Sequence, residues 1–291
     1  MSIRKTAFIG LGVMGGPMAG HLLAKGHAVT VYNRTASRAA AWVAAHAGGQ
    51  SAATPREAAQ GADVVFVCVG NDHDLRSVVL GADGALAGMH PGSVLVDHTT
   101  ASAEVARELH RLAAARQVAF IDAPVSGGQA GAERGQLAVM CGGDAEPFAQ
   151  VRPVIDSYAK AVTLMGPPGS GQLTKMVNQL CIAGVVQGLA EALNFAQKAG
   201  LDGEQVLEVV SKGAAQSWQM ENRGKTMLAD QFEFGFAVDW MRKDLGLCLQ
   251  EAQRNGAVLP LAALVDQFYA EVQAMGGGRW DTSSLIRRLH R

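Results

Sequence analysis

The sequence predicts an α/β protein with an N-terminal Rossmann-like, doubly wound sheet and an all-helical C-terminal domain. Up to about residue 166, short apolar runs alternate with helical patterns, as in parallel sheets whose strands are joined by crossover helices. After the glycine-rich turn at 165–171, helical periodicity continues and no comparable strand pattern follows. The length of 291 residues is also near the limit at which single cores divide. We therefore expect a sheet domain at 1–166 and a helical domain at 167–291.

Each predicted element follows from a local pattern. Short apolar runs predict the strands, and apolar residues at intervals of three and four predict the helices. Gly200 ends the long helix that opens the second domain, and Gly276-Gly-Gly278 precedes the last helix. The predicted strands are residues 5–10, 28–33, 63–70, 93–97, 118–122, 137–142 and 161–165. The predicted helices are 14–25, 55–60, 102–115 and 147–157 in the first domain, and 172–199, 203–212, 218–229, 238–255, 260–274 and 282–290 in the second.

Composition and charge narrow the class of protein. With 48% hydrophobic and 18% charged residues, the chain suits a compact α/β enzyme. The formal net charge is −1 and like charges form no block, so a nucleic-acid partner is not expected. The cysteines lie far apart, and no His or carboxylate cluster has metal-ligand spacing, so no metal site is expected. The N-terminal apolar stretch is too short to span a bilayer, and we expect a soluble cytoplasmic protein without a membrane partner.

A glycine motif follows the first predicted strand. Gly10, Gly12 and Gly15 stand at GxGxxG spacing where that strand turns into a helix. The first glycine permits a tight turn, the second lets backbone approach a pyrophosphate, and the third allows close packing, while N–H groups at the helix start face the anion. The alternative is an ordinary glycine-rich turn, which the strand-turn-helix context disfavours. The predicted dinucleotide contacts here are Gly10, Leu11, Gly12, Val13, Met14 and Gly15.

The end of the second predicted strand distinguishes the two nicotinamide cofactors. NAD sites place an Asp or Glu there for the ribose 2′-hydroxyl, whereas this chain has Asn33, Arg34 and Thr35. An Arg among polar groups, with Arg38 as a further candidate, suits the 2′-phosphate of NADP. The sequence therefore favours NADP and leaves NAD open. In the alternative, Arg34 is a solvated loop residue that stacks on the adenine of either cofactor.

Lys175 and Asn178 share one face of the long helix that opens the second domain. With Gly171 and Ile182 they recur at intervals of four, three and four residues. Such a pair, on a helix that leaves a domain junction, lies where ligands often bind. The alternative is a solvent-facing Lys beside an ordinary surface Asn. The dinucleotide motif favours the functional pair.

Four segments in this order resemble the β-hydroxyacid dehydrogenase family, which includes 3-hydroxyisobutyrate dehydrogenases and tartronate semialdehyde reductases. They are Gly10-Leu-Gly-Val-Met-Gly15, Asp122-Ala-Pro-Val-Ser-Gly-Gly128, Gly169-Ser-Gly171 with Lys175 and Asn178, and Lys243-Asp-Leu245. They span nearly the whole chain, so their joint occurrence is far more specific than one glycine motif. The resemblance implies hydride transfer between the nicotinamide and a small β-hydroxyacid or its semialdehyde, in a homodimer or homotetramer.

The resemblance also implies roles for individual residues. Lys175 would be the general acid and base at the reacting oxygen, and Asn178 would orient the substrate. A loop with hydroxyl and backbone N–H donors, Ser126, Gly127 and Gly128, would hold the substrate carboxylate. Lys243 would reach both cofactor and substrate. The segments that would line the nicotinamide are Val69, Gly70, Asn71 and Thr100, for which ordinary strand-end turns are the alternative.

Several details of the function stay open. Many relatives read Asp-Met-Ser-Thr where this chain has Asp97-His-Thr-Thr100, and some carry a second Asn where it has Gln179. Trp218 is predicted either to wall the substrate pocket or to lie in the core. The residues do not rank 3-hydroxyisobutyrate, glycerate, 4-hydroxybutyrate or serine as the substrate. The alternatives are a cofactor-binding scaffold without turnover, which the retained Lys175 disfavours, and an imine or semialdehyde reductase of the same fold.

Overall fold

The computed structural model describes residues 4–290 and divides into two compact units, Met1–Lys175 and Met176–Arg291. The division falls inside a long helix, several residues beyond the boundary expected at 166/167. The start of this helix is tied to the first unit, because the N–H groups of Gly169 and Gln172 donate to the carboxylate of Asp122.

The first unit is built on a sheet of nine strands within residues 4–290. The strands are β1 (Lys5–Ile9), β2 (Ala28–Tyr32), β3 (Gln50–Ser51), β4 (Val64–Val67), β5 (Val94–Asp97), β6 (Ala119–Asp122), β7 (Val125–Ser126), β8 (Leu137–Gly142) and β9 (Ala159–Gly166). Their order is β3-β2-β1-β4-β5-β6-β8-β7, with β9 paired to β8. The pairs from β3 to β6 are parallel, whereas β8 is antiparallel to β6 and β7. The two-residue strands β3 and β7 were not predicted, because so short a segment carries no periodicity.

Helices pack on both faces of the sheet and form two apolar cores. They are α1 (Gly15–Ala24), α2 (Ala36–Ala45), α3 (Pro55–Ala59), α4 (Asp72–Leu80), α5 (Ala85–Gly88), α6 (Ala103–Ala114), α7 (Gly128–Glu133) and α8 (Ala145–Ile155). Phe8 and Phe66 lie in one core, and Ile9 and Val65 in the other, since successive strand residues point to opposite faces. The doubly wound arrangement therefore explains why the central strands read as continuous apolar runs.

Helices α2, α4, α5 and α7 are absent from the sequence prediction. In α2 the buried residues are Ala39 and Trp42, and in α4 they are Leu75 and Val79, so the apolar stripe is narrow. Helix α4 does carry a start signal, because Asn71 caps it by accepting the N–H of Asp74 at 2.9 Å. Helices α5 and α7 could not be predicted, because their sequences are short and contain glycine, which disfavours helix.

Within residues 176–290 the second unit consists of helices and their connections, with one isolated antiparallel bridge between Ala237 and Asp281. Its elements are the rest of α9 (Ser170–Lys198), then α10 (Gly203–Val210), α11 (Trp218–Leu228), α12 (Val238–Asn255), α13 (Pro260–Ala274) and two 3₁₀ segments, Gly277–Arg279 and Thr282–Leu289. Helix α9 is long and apolar enough to cross a membrane, but Val186 and Leu193 on it are buried in the core of this unit, which accounts for its hydropathy.

The α-helix predicted at 282–290 is wrong in type, since this segment is a 3₁₀ helix. Asp281 Oδ1 accepts both the N–H of Ser283, at 3.0 Å, and its hydroxyl, at 2.6 Å. Such local side-chain bonds compete with the α-helical pattern.

Candidate functional site

The glycine loop between β1 and α1 is shaped to receive a dinucleotide phosphate. Gly10 has φ +99°, and a Cβ there would collide with the carbonyl of Cys68. A Cβ on Gly15 would collide with the Gly10 carbonyl, so the third glycine permits the tight turn-to-helix packing. Gly12 faces open space. Helix α1 has neither a side-chain cap nor an acidic residue in its first turn, which leaves its N–H dipoles suited to an anion.

Asn33 holds this loop from the end of β2. Its Oδ1 accepts the N–H of Leu11 at 3.0 Å, and its Nδ2 donates to the carbonyl of Thr35 at 3.1 Å. The Asn33 amide is thus used inside the protein, where it positions the glycine loop.

An open pocket of about 330 Å³ follows β2. It is lined by Tyr32, Asn33, Arg34, Ala36, Ala39, Ala40, Ser51, Ala52 and Ala53. The side chain of Arg34 is 86% exposed, and its Nη1 lies 3.3 Å from Oδ1 of Asp74. Such an exposed ion pair is weak, so a phosphate dianion can compete for the guanidinium. Asp74 was not identified from the sequence, since Arg34 and Asp74 lie on different elements.

The segments predicted to line the nicotinamide follow adjacent parallel strands, β4 and β5. The N–H of Val69 donates to Oγ1 of Thr99 at 3.1 Å. Asn71 caps α4 with its side-chain amide. Its Oδ1 accepts the N–H of Asp74 at 2.9 Å, and its Nδ2 donates to the carboxylate of Asp74 at 3.2 Å. The structure therefore brings Val69, Asn71 and Thr100 to one edge of the sheet, and the hydroxyl in the Val69 contact is that of the neighbouring Thr99.

The end of β5 carries buried polar side chains. Asp97 is fully buried, and burial raises its pKa to about 7. His98 contacts the carbonyl of Ala123 through Nδ1 at 2.6 Å and the hydroxyl of Tyr158 through Nε2 at 2.7 Å. A carbonyl can only accept, so Nδ1 carries the proton and Nε2 accepts the hydroxyl. Burial lowers the pKa of His98 to about 4, and the ring is neutral at pH 7.

The predicted carboxylate loop lies between β7 and α7. Ser126 pairs with Ala138 of β8, which fixes the start of the loop. Gly127 has φ +133° and Gly128 has φ +62°, and a Cβ on Gly128 would meet no atom within 4 Å. Gly127 precedes α7 and Gly128 is its first residue. Backbone N–H groups at a glycine turn of this kind are suitable donors for an anion.

Lys175 lies near the start of α9 and is buried, with 8% of its surface exposed. The alternative of a solvent-facing Lys is thereby rejected. Asp122, at the end of β6, accepts the N–H of Gly169 at 2.7 Å and that of Gln172 at 2.9 Å. Burial raises the pKa of Asp122 to about 6, against the effect of these donors. Neither Asp122 nor Gln172 was assigned a role from the sequence.

In the second unit, Asn178 and Lys243 belong to one polar chain. Asn178 Nδ2 donates to Oε1 of Gln179 at 2.8 Å, and Gln179 Nε2 donates to Oδ2 of Asp244 at 2.6 Å. The ammonium of Lys243 lies 3.0 Å from Oδ1 of Asp244. Gln179 and Asp244 are each 2% exposed, so this charge-assisted chain is shielded from water. The sequence placed Asp244 next to a predicted site residue but assigned it no function.

Trp218 does not lie in the core, since it is 45% exposed. It begins α11, where Ser217 caps the helix. The guanidinium of Arg223 stands 5.0 Å from the Trp218 ring centroid and 4.9 Å from that of Phe234, which are cation–π distances. The position is compatible with a pocket wall and rejects the core alternative.

Family models match both parts of the chain. The family model described as the NAD binding domain of 6-phosphogluconate dehydrogenase matches residues 5–166. The model described as NAD-binding of NADP-dependent 3-hydroxyisobutyrate dehydrogenase matches residues 169–289. The fold and the two models define a protein with a nicotinamide-dinucleotide-binding architecture.

Individual relatives narrow the class. An uncharacterized oxidoreductase of Shewanella frigidimarina (strain NCIMB 400) is 67% identical over 99% of this chain and 98% of its own. The 2-hydroxy-3-oxopropionate reductase of Escherichia coli (strain K12) is 34% identical over 98% and 97% of the two chains. The structure of Mycobacterium tuberculosis 3-hydroxyisobutyrate dehydrogenase with L-serine is 32% identical, with a TM-score of 0.89 over 100% of both chains. The chain belongs to the β-hydroxyacid dehydrogenase family, as its motifs predicted.

Proposed function

We propose that this protein is an NADP-preferring β-hydroxyacid dehydrogenase, or a semialdehyde reductase in the reverse direction, with Lys175 as general acid and base. The observation that carries the proposal is the burial of Lys175, four residues after the end of the glycine segment 169–171. Lysine is among the side chains that are most rarely buried, so the burial of Lys175 within a family motif distinguishes it from an ordinary surface lysine. Relatives named 3-hydroxyisobutyrate dehydrogenase and 2-hydroxy-3-oxopropionate reductase support a small hydroxyacid or its aldehyde as substrate.

In this mechanism, bound NADP(H) supplies or accepts the hydride. The protein binds the acid group and manages one proton. In reduction, the ammonium of Lys175 donates a proton to the carbonyl oxygen of the substrate. In oxidation, neutral Lys175 accepts the proton of the alcohol. A positioned proton donor of this kind typically accelerates a reaction by about 10²–10⁴-fold.

The substrate carboxylate is assigned to Ser126, Gly127 and Gly128. The hydroxyl and the backbone N–H groups of this loop are the donors for the two carboxylate oxygens, and the open space at Gly128 accommodates them. Asn178 is assigned to substrate orientation, and Lys243 to the cofactor and substrate. Their shared chain through Gln179 and Asp244 supports a common function for the two.

The preference for NADP is proposed from Arg34. The guanidinium lines the pocket after β2, and no carboxylate is among the residues that line this pocket. The matched family model, described by an NADP-dependent enzyme, is consistent with this assignment. Arg34 would hold the 2′-phosphate through charge-assisted hydrogen bonds, in place of its present partner Asp74.

We also propose a cytoplasmic homodimer or homotetramer. The second unit exposes large apolar side chains, among them Val177 at 60%, Phe195 at 71% and Leu261 at 53%. Apolar side chains exposed to this degree are often covered by a second subunit.

The test is a coupled measurement of turnover and binding in Lys175→Ala. Lys198→Ala, at the exposed far end of the same helix, is the matched control. With a panel of small hydroxyacids and semialdehydes and both cofactors, we expect Lys175→Ala to lose at least a hundredfold in kcat while cofactor Kd changes less than threefold. Lys198→Ala should keep wild-type kcat. Turnover above a tenth of wild type in Lys175→Ala would reject the acid–base role, and cofactor binding without turnover of any panel member would favour a scaffold.

A further inference from the structure

The buried carboxylate of Asp122 is joined to the helix that carries Lys175. Oδ1 accepts the N–H of Gly169 and Oδ2 accepts the N–H of Gln172, so both oxygens bind the first turn of α9. These are N–H groups that a helix start leaves without an internal acceptor. Asp122 is 0% exposed, and the same bonds are therefore shielded from competing water.

A second attachment comes from Gln172, which is also 0% exposed. Its Nε2 donates to the carbonyl of Thr99 at 2.7 Å, and its Oε1 accepts the N–H of Ala101 at 3.0 Å. Both amide atoms are thus engaged by the segment after β5. Lys175 follows Gln172 by three residues and lies on the same side of the helix. The two attachments hold the helical turn from which the Lys175 side chain extends.

Two glycines allow this close approach. A Cβ on Gly171 would lie 2.7 Å from the carbonyl oxygen of Asp122 and 2.8 Å from its Oδ2. A Cβ on Gly142, in β8, would lie 2.6 Å from Oδ1 of Asp122. Larger residues at either position would force the carboxylate and the helix apart. The absence of a side chain at Gly171 therefore allows the start of α9 to pack against the carboxylate of Asp122.

We propose that Asp122, with Gln172, is a positioning residue that fixes the first turn of α9 and thereby the reach of Lys175 toward the substrate oxygen. This inference rests on the acid–base function proposed for Lys175. A displacement of about 1 Å of a catalytic group can cost about a hundredfold in rate, so a loosened turn should lower kcat more than it alters binding. Among the described residues, the carboxyl of Asp97 and the thiol of Cys141 interact electrostatically with Asp122, and both are buried.

The decisive variant is Asp122→Asn, which keeps the shape and replaces one acceptor oxygen by a donor. Asp202→Asn is the matched control, because Asp202 caps α10 by accepting the N–H groups of Glu204 and Gln205 at 2.9 and 3.1 Å. We expect amide hydrogen exchange at 169–172 to become at least tenfold faster in Asp122→Asn and to stay unchanged there in Asp202→Asn. We expect kcat to fall ten- to a hundredfold in Asp122→Asn, with substrate KM and cofactor Kd within threefold of wild type. Asp202→Asn should keep kcat within twofold.

A double-mutant experiment separates positioning from general destabilisation. In Lys175→Ala, turnover rescued by added methylamine depends on an amine that α9 does not hold. Adding Asp122→Asn to that enzyme should therefore change the rescued rate less than twofold. A purely structural function would instead lower the rescued rate by the same factor as in the wild-type background. If Asp122→Asn does not fold, Gln172→Met, which removes the second attachment, replaces it with the same expectations at a smaller loss of kcat.

The outcomes distinguish this inference from the proposed function. Wild-type kcat in Asp122→Asn or Gln172→Met, with Lys175→Ala inactive, would overturn the positioning function alone. Activity retained in Lys175→Ala would overturn the acid–base assignment. Unchanged exchange at 169–172 in Asp122→Asn would show that the carboxylate does not hold the turn, and would also overturn the inference.

Discussion

Replacing His98 by Met should change how the stability of the first unit depends on pH. In this chain the ring donates to the carbonyl of Ala123 and accepts the hydroxyl of Tyr158, and it stacks at 5.7 Å on Phe66. His98→Met leaves both polar partners without the ring. We therefore expect the variant to be less stable at pH 7, by about 1–3 kcal/mol for each partner left unsatisfied.

The difference in stability should shrink as the pH falls. The pKa of His98 is lowered by burial from 6.5 to about 4, so below pH 6.5 the unfolded chain takes up a proton that the folded chain does not. The free energy of unfolding contributed by His98 falls from pH 6.5 down to about 4. At 1.36 kcal/mol per pH unit, this interval amounts to about 3 kcal/mol. The His98→Met variant has no ring to protonate, so its free energy of unfolding does not decrease for this reason.

Asp97 and Asp122 change the free energy of unfolding in the opposite direction when the pH falls. Burial raises their pKa values to about 7 and about 6, so the folded protein binds their protons first and acidification stabilises it. The pH profile of the wild type alone therefore mixes the two effects. The difference in stability between wild type and His98→Met isolates the effect of the histidine. The ring of His98 is neutral in the folded protein above pH 4, so its replacement does not change the charges on Asp97 and Asp122.

The assay is urea unfolding at several pH values between 7 and 4.5, read by hydrogen exchange of the amides of β4 and β5, which report on the first unit. The expected result is a stability advantage of the wild type that decreases steadily below pH 6.5. An advantage that stays constant or grows over this range would refute the assignment of a neutral, Nδ1-protonated His98.

Two further predictions concern specificity. Arg34→Asp should lower the ratio of kcat/KM with NADP to kcat/KM with NAD by ten- to a hundredfold or more, since it removes the cation and adds repulsion to the 2′-phosphate. Steady-state kinetics at a fixed substrate measure this ratio. If the wild type is equally efficient with both cofactors, the NADP assignment is wrong. Gln179→Asn should break the 2.6 Å bond to Asp244, because the shorter amide cannot span it. We expect substrate KM to rise about three- to tenfold with kcat within twofold, and an unchanged KM would show that the chain does not orient Asn178.

The fold and the family could be predicted because their signals are local. The glycine loop needs its strand, turn and helix within a few residues, and the apolar runs of β1, β4 and β5 follow from burial on both faces of a sheet. Helices with narrow apolar stripes, such as α2 and α4, were not predicted, because tertiary packing stabilises them and their sequences show little apolar periodicity. The last segment was mistaken for an α-helix because Asp281 bonds locally to Ser283.

The residues that support the site are the ones the sequence could not reveal. Asn33 acts on Leu11, which is 22 positions away, and Asp74 reaches Arg34 across 40 positions. Gln179 meets Asp244 across 65 positions. Each of these contacts exists only after the elements have packed, so no spacing in the chain encodes it. The motifs place the groups that would touch ligands, whereas long-range hydrogen bonds decide how those groups are held.

The Gly169-Ser-Gly171 segment was identified in the sequence as one of the family motifs, without a function for its glycines. In the structure, a side chain at Gly171 would collide with the main chain and the carboxylate of Asp122, 49 positions earlier in the chain. The glycine is thus demanded by packing against the end of β6, and the turn it permits is held by buried hydrogen bonds at both Asp122 and Thr99. In the acid–base function proposed for Lys175, the lysine would benefit from such a rigid origin, because side-chain flexibility alone would spread its ammonium over several positions.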